Sequence, residues 1–136
     1  MQNDALLKQL QQEAKGLLYT SESDAPIQPF VWTKAEVGAD TLTPDVVRHW
    51  KKLPTGQKAA ETKFADFFAP MTTSQSWYGD EEKATMQKFQ QLVKTLQANL
   101  TDLRVYTFGD AKQEVYVVGK TASGDFAGVH TQAVET

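Results

Sequence analysis

The fold is decided by the stretch LRVYTFGDAKQEVYVVGKTASGDFAGVHTQAVET (residues 103–136). Three runs within it, LRVYTF (103–108), EVYVVG (114–119) and FAGVHTQAV (126–134), are rich in β-branched and aromatic residues. Such runs read as strands. The joints GDAKQ (109–113) and TASGD (121–125) carry Gly and Asp, so both read as hairpin loops and the strands as parts of a largely antiparallel sheet. The last strand pattern stops abruptly: after Val134 come only Glu135 and Thr136, an acid and a hydroxyl beside a carboxylate, with no polar tail.

Working back from this stretch, Phe89, Leu92, Val93, Leu96 and Leu100 recur at helical spacing and mark the buried stripe of a long helix. Asp80 is placed to cap it, with Glu81 and Glu82 in its first turn, where the helix dipole favours anions. The run ETKFADFFAPM (61–71) fits a strand or a helical turn equally well. Thr43 with Pro44 has the chemistry of a helix start, and LPTG (53–56) that of its end. IQPFVW (27–32) reads as a strand in which Pro29, lacking an N–H, demands an edge or a bulge. At the beginning, Leu6, Leu10, Ala14 and Leu17 predict a helix over about residues 3–15 that stops at Gly16. The sum is an α+β layered domain with a roughly four-stranded sheet, and residues 1–136 form a single domain.

Composition narrows the function classes. With no cysteine in 136 residues, a disulfide scaffold and Cys-based metal sites are excluded. MQNDALLKQLQQEAKGLL (1–18) has neither a basic start nor a continuous apolar run, so neither a signal peptide nor a membrane span is expected there, and the default location is cytoplasmic. A formal net charge of −3 gives no general attraction to phosphates and argues against direct nucleic-acid binding. The distribution says more than the sum. Residues 16–33, 64–82 and 121–136 contain no Lys or Arg, yet each contains acids, and these stretches are expected to meet.

Catalytic candidates are few. His49 and His130 are the only histidines, and a single histidine on a helix surface or a strand is ordinarily structural. There is no HExxH, phosphate loop, Gly-x-Ser-x-Gly or Asp-rich calcium loop, so no enzyme, cofactor or metal site of its own is expected. Glu22 and Asp24 flank Ser23 in turn chemistry, away from any helix start. Trp77 and Tyr78 precede the long helix as a hydrophobic staple or as an aromatic anchor for a partner; their spacing fits both.

Three blocks carry a resemblance. GLLYTSESDAPIQPFVW (16–32), MTTSQSWYGDEEKATMQKFQQLVKTLQANL (71–100) and VYTFGDAKQEVYVVGKTASGDFAGVHTQAVET (105–136) are similar, in order and through to the final VET, to the bacterial nuclease A inhibitor family. The segment 37–63 matches least well and is richer in Lys and Arg. The resemblance implies a three-layer α/β/α sandwich. It also implies a one-to-one partner: a Mg²⁺-dependent, sugar-nonspecific DNA/RNA endonuclease of the ββα-metal class, blocked at its active site. By the same resemblance, Glu22 of SES, Trp77 of WYGDEE and the terminal Thr136 contact the nuclease, with Thr136 reaching its catalytic magnesium. Asp24, Ser76 and Glu135 are the neighbouring interface candidates; Ser76 stands where the family pattern has an acid.

Physical chemistry makes such roles sensible. A phosphodiester-cleaving site concentrates a divalent cation and basic groups, and carboxylate and hydroxyl oxygens suit hard Mg²⁺ without offering a scissile bond. Two rivals stay open at this point. The scaffold could bind another protein, or Glu22 and His130 could serve a small enzyme or ligand-binding domain.

Overall fold

Leu6, Leu10 and Ala14 share one face of a helix. In the computed structural model, which describes residues 2–135, they are the buried residues of α1 (Asn3–Ala14). Gly16 follows with φ of 78°, a left-handed conformation that a residue without Cβ enters without strain. The chain next makes a hairpin of β1 (Leu18–Thr20) and β2 (Asp24–Pro26), then β3 (Gln28–Trp32). Two short helices, α2 (Lys34–Val37) and α3 (Pro44–Trp50), lead to β4 (Ala59–Thr62). Helices α4 (Phe64–Thr72) and α5 (Asp80–Asn99) precede β5 (Thr101–Phe108), β6 (Lys112–Lys120) and β7 (Phe126–Val134).

The result, among the described residues, is a mixed α+β structure of five helices, an antiparallel five-stranded sheet in the order β3-β7-β6-β5-β4, and a separate two-stranded sheet, β1-β2. The central strand is β6, which explains its unbroken apolar run Val115–Val118. A strand with neighbours on both edges and apolar cores on both faces has no polar side to present. Val115 and Val117 join Val105, Ala127 and Val129 in a cluster with Leu6 and Leu10 of α1, Phe68 of α4, and Leu92 and Leu96 of α5. Tyr116 and Val118 point the other way, into a second cluster with Tyr106, Phe108, Phe126, Trp32 and Val47 of α3.

Several expectations are corrected. The sheet has five strands, because the ambiguous run 61–71 divides: its start closes β4, at the sheet edge, and its remainder is α4. The cap of α5 is Gly79, and Asp80 is the first helical residue, making no side-chain cap bond. Helix α2 was unforeseen, although Thr33 and Glu36 form a full capping box that the sequence displays as T-x-x-E. Thr43 does cap α3, accepting from the Val46 N–H at 3.2 Å, with Pro44 in the first turn. Pro29 lies in an edge strand, where its missing donor costs nothing.

One polar junction ties distant segments together. The Asp125 carboxylate accepts from the Lys34 N–H at 2.8 Å, from Asn3 Nδ2 at 2.9 Å and from Ser123 Oγ at 3.0 Å. It thereby joins the starts of α1 and α2 to the β6–β7 hairpin. The Lys34 amide first, then Asn3 and Ser123, hold its carboxyl below the ordinary value of 3.8. The depressed folded value means that this contribution is complete above the unfolded value and is lost as pH falls through the folded one.

Two outcomes are expected. Asp125→Asn lowers the thermal midpoint at neutral pH, and the gap to wild type closes as pH drops below 3.8; calorimetry across that range reads it. Gly128 sits where an added Cβ would meet the Val117 carbonyl oxygen of β6 at 1.8 Å, so Gly128→Ala forces the central pair apart. Its cost is about 3 kcal/mol, seen as a shifted urea midpoint.

Candidate functional site

The β1–β2 register pairs Thr20 with Asp24 and leaves Ser21, Glu22 and Ser23 as the tip of the hairpin. Ser21 closes the tip, its N–H and its Oγ both donating to the Ser23 carbonyl at 2.9 and 3.2 Å. The same Oγ accepts from the Val134 N–H at 3.0 Å, while the Glu22 N–H donates to the Val134 carbonyl at 3.1 Å. Both polar backbone groups of Val134 are thus spent on this turn, and the exposed Glu22 is stitched to the end of β7. Glu135 is held from the opposite side, its N–H donating to Ala111 in the β5–β6 loop at 2.8 Å. Thr136 lies outside the described residues.

Tyr19 is the meeting point of the three stretches without Lys or Arg. It lies in the first, its ring stacks on Phe67 of the second at 5.3 Å, and its phenol feels Glu135 of the third. Burial, and after it the Glu135 carboxylate, pushes the Tyr19 phenol above its ordinary value.

Trp77 belongs to the connection between α4 and α5. Its ring meets Tyr78 edge to face at 4.7 Å. Tyr78 is the half-buried member of the pair, and Trp77 stays 70 % exposed. Trp77 borders a groove of about 460 Å³ whose wall also includes Leu18 and Thr20 of β1, the strand that leads directly to Glu22. Asp24 is exposed on β2, and Ser76 is exposed beside Trp77.

The hydrogen bonds therefore bring Glu22 to the end of β7, next to Glu135, Tyr19 lies within electrostatic reach of Glu135, and the groove links Trp77 to the same hairpin. Ser21, which makes the join, and Leu18, which is exposed, were not singled out from the sequence. GLLY reads as core by hydropathy, and only the tertiary placement of β1 leaves Leu18 outside.

The histidines do not join this group. His49 is exposed on α3. His130 Nε2 lies 2.7 Å from Glu114 Oε2, and its ring stacks on Tyr116 at 4.4 Å. Burial first, and then Glu114, pushes the Tyr116 phenol up to about 12. Among the described residues no His, Cys, Asp and Glu cluster has the arrangement of a metal site, and no helix is long and apolar enough to cross a membrane.

Removing the stitch should be measurable. Ser21→Ala deletes the acceptor for the Val134 N–H and costs about 1 kcal/mol, with faster hydrogen exchange at the Val134 amide while the core amides of β6 keep their protection.

Comparison with curated proteins gives no significant match. The family model for nuclease A inhibitor-like proteins matches residues 4–136. The match runs through segment 37–63 as well as the three blocks that carry the resemblance. It spans nearly the entire chain, and the chain belongs to the nuclease A inhibitor-like family.

Proposed function

We propose that this protein is a non-enzymatic inhibitor that occupies the active site of a Mg²⁺-dependent, sugar-nonspecific ββα-metal endonuclease, one molecule to one, in the cytoplasm. Beside the family membership, one observation carries the reading. The hairpin tip bearing Glu22 and the end of β7, two segments that themselves lack Lys and Arg, are hydrogen-bonded into a single unit.

In this reading the chain acts as one domain, a three-layer α/β/α sandwich whose two apolar clusters lie on opposite faces of the sheet. The sheet serves as a rigid mount. Glu22 presents a carboxylate to the basic groups of the nuclease, and Thr136 presents its hydroxyl and terminal carboxylate to the nuclease magnesium, which prefers oxygen ligands. Glu135, Asp24 and Ser76 flank these contacts, and Trp77 is the apolar anchor. The ordering of Val134 and Glu135 before binding supports the role of the chain end, because less conformational freedom is left to lose in the complex. The absence of Lys and Arg from the hairpin and from the β7 segment themselves reduces repulsion of a basic cleft and favours encounter.

The test is a DNA-cleavage assay with a Mg²⁺-dependent nuclease of this class, titrated with the intact chain, a chain lacking Thr136, and Glu22→Ala. Inhibition with a one-to-one end point is expected. It should weaken sharply without Thr136, and by about 2 kcal/mol or more in Glu22→Ala, as a central interface residue does. No inhibition by the intact chain would sink the proposal and favour a scaffold serving another protein partner. Trp77→Ala is expected to cost a similar amount of affinity, with an unchanged thermal midpoint because the ring is largely exposed in the free protein.

A further inference from the structure

Among the described residues, only two large hydrophobic side chains are exposed, Leu18 at 46 % and Trp77 at 70 %. They come from segments far apart in sequence, yet both border the same groove. Folding does not account for either: a polar residue at these exposed positions would leave both apolar clusters intact. Met71 and Met86 also line the groove, and they are the only methionines besides Met1. Flexible thioethers re-pack around an inserted side chain more readily than branched residues do. Glu81 and Glu82, in the first turn of α5, form its charged margin, and the stretch from Phe64 to Glu82 contains no cation.

We propose that this groove is a second docking site on the nuclease, separate from the plug formed by Glu22 and the chain end. It receives an apolar side chain of the nuclease that is flanked by a Lys or Arg. The inference rests on the inhibitor reading and assigns a further part of the same partner to a further part of this chain. Apolar walls with a carboxylate margin fit an apolar residue with a basic neighbour and reject an acidic one. The groove begins at β1, the strand that leads to the Glu22 turn, so plug and groove can be engaged together by one rigid partner.

The experiment measures association and dissociation rates of the intact nuclease complex, with cleavage inhibition in parallel, for Leu18→Thr and for the pair Glu81→Gln and Glu82→Gln. Leu18→Thr keeps a β-compatible residue at an exposed position. It is expected to raise the dissociation rate about tenfold, the scale of one interface anchor, with little change in association. The double Gln variant is expected to slow association and flatten its dependence on ionic strength, because steering is what salt screens. Thermal midpoints within a few degrees of wild type confirm that both variants are folded. Unchanged rates in both variants, with inhibition still lost on removal of Thr136, would overturn the groove and leave the plug standing. Failure of the intact chain to inhibit would overturn both.

Discussion

A strand buried on both faces and paired on both edges constrains everything around it, and here that strand is β6. Its four consecutive apolar residues, Val115 to Val118, feed two separate cores. Each core needs its own covering residues, and these come from α1, α4 and α5 for one and from Trp32, α3 and their neighbours for the other. The same strand fixes β7 through a nine-pair register from Lys112–Val134 to Lys120–Phe126. The close approach at Gly128 is part of that contact. The position of the end of β7, where the Glu22 turn is attached, is therefore set by the best-buried pairing among the described residues.

The site is mounted on this pairing with short polar links. A hairpin tip of three residues would drift if left to itself, since β1 and β2 have only three register pairs. Using Val134 as both donor and acceptor anchors the tip to the sheet at the cost of no further chain. The charge pattern follows the same economy: the stretches that converge at Tyr19 lack cations, whereas Arg48, Lys51, Lys52, Lys58 and Lys63 crowd into the segment between β3 and α4. The two kinds of segment adjoin at the end of β7, where the exposed Lys58 and Lys112 border Glu135 and Val134.

Sequence and structure part company at identifiable places. The α5 stripe and the three last strands were legible because their hydrophobic periodicity runs over many residues; β7 has the bounds that its alternation gives, Phe126–Val134. Short elements were not. β4 is Ala-Ala-Glu-Thr, fully exposed, with no apolar face to announce it, and it exists because β5 offers a free edge. The capping box that starts α2 was present as Thr33 and Glu36, but four residues give too little periodicity to read as a helix.

The α+β class, the long helix, the antiparallel C-terminal sheet and the family are all legible in the amino-acid string, which through the resemblance also marks Glu22, Trp77 and Thr136 as residues to watch. These are properties of local pattern and of colinear motifs, and a linear string carries both. Packing between distant segments supplies the rest: Ser21 and Glu22 meet Val134, Tyr19 stacks on Phe67, and Leu18 and Trp77 share a groove. Hydropathy assigns an apolar residue to the core by default. Which apolar residues the finished core leaves out depends on how distant segments pack, and no window of sequence contains that information.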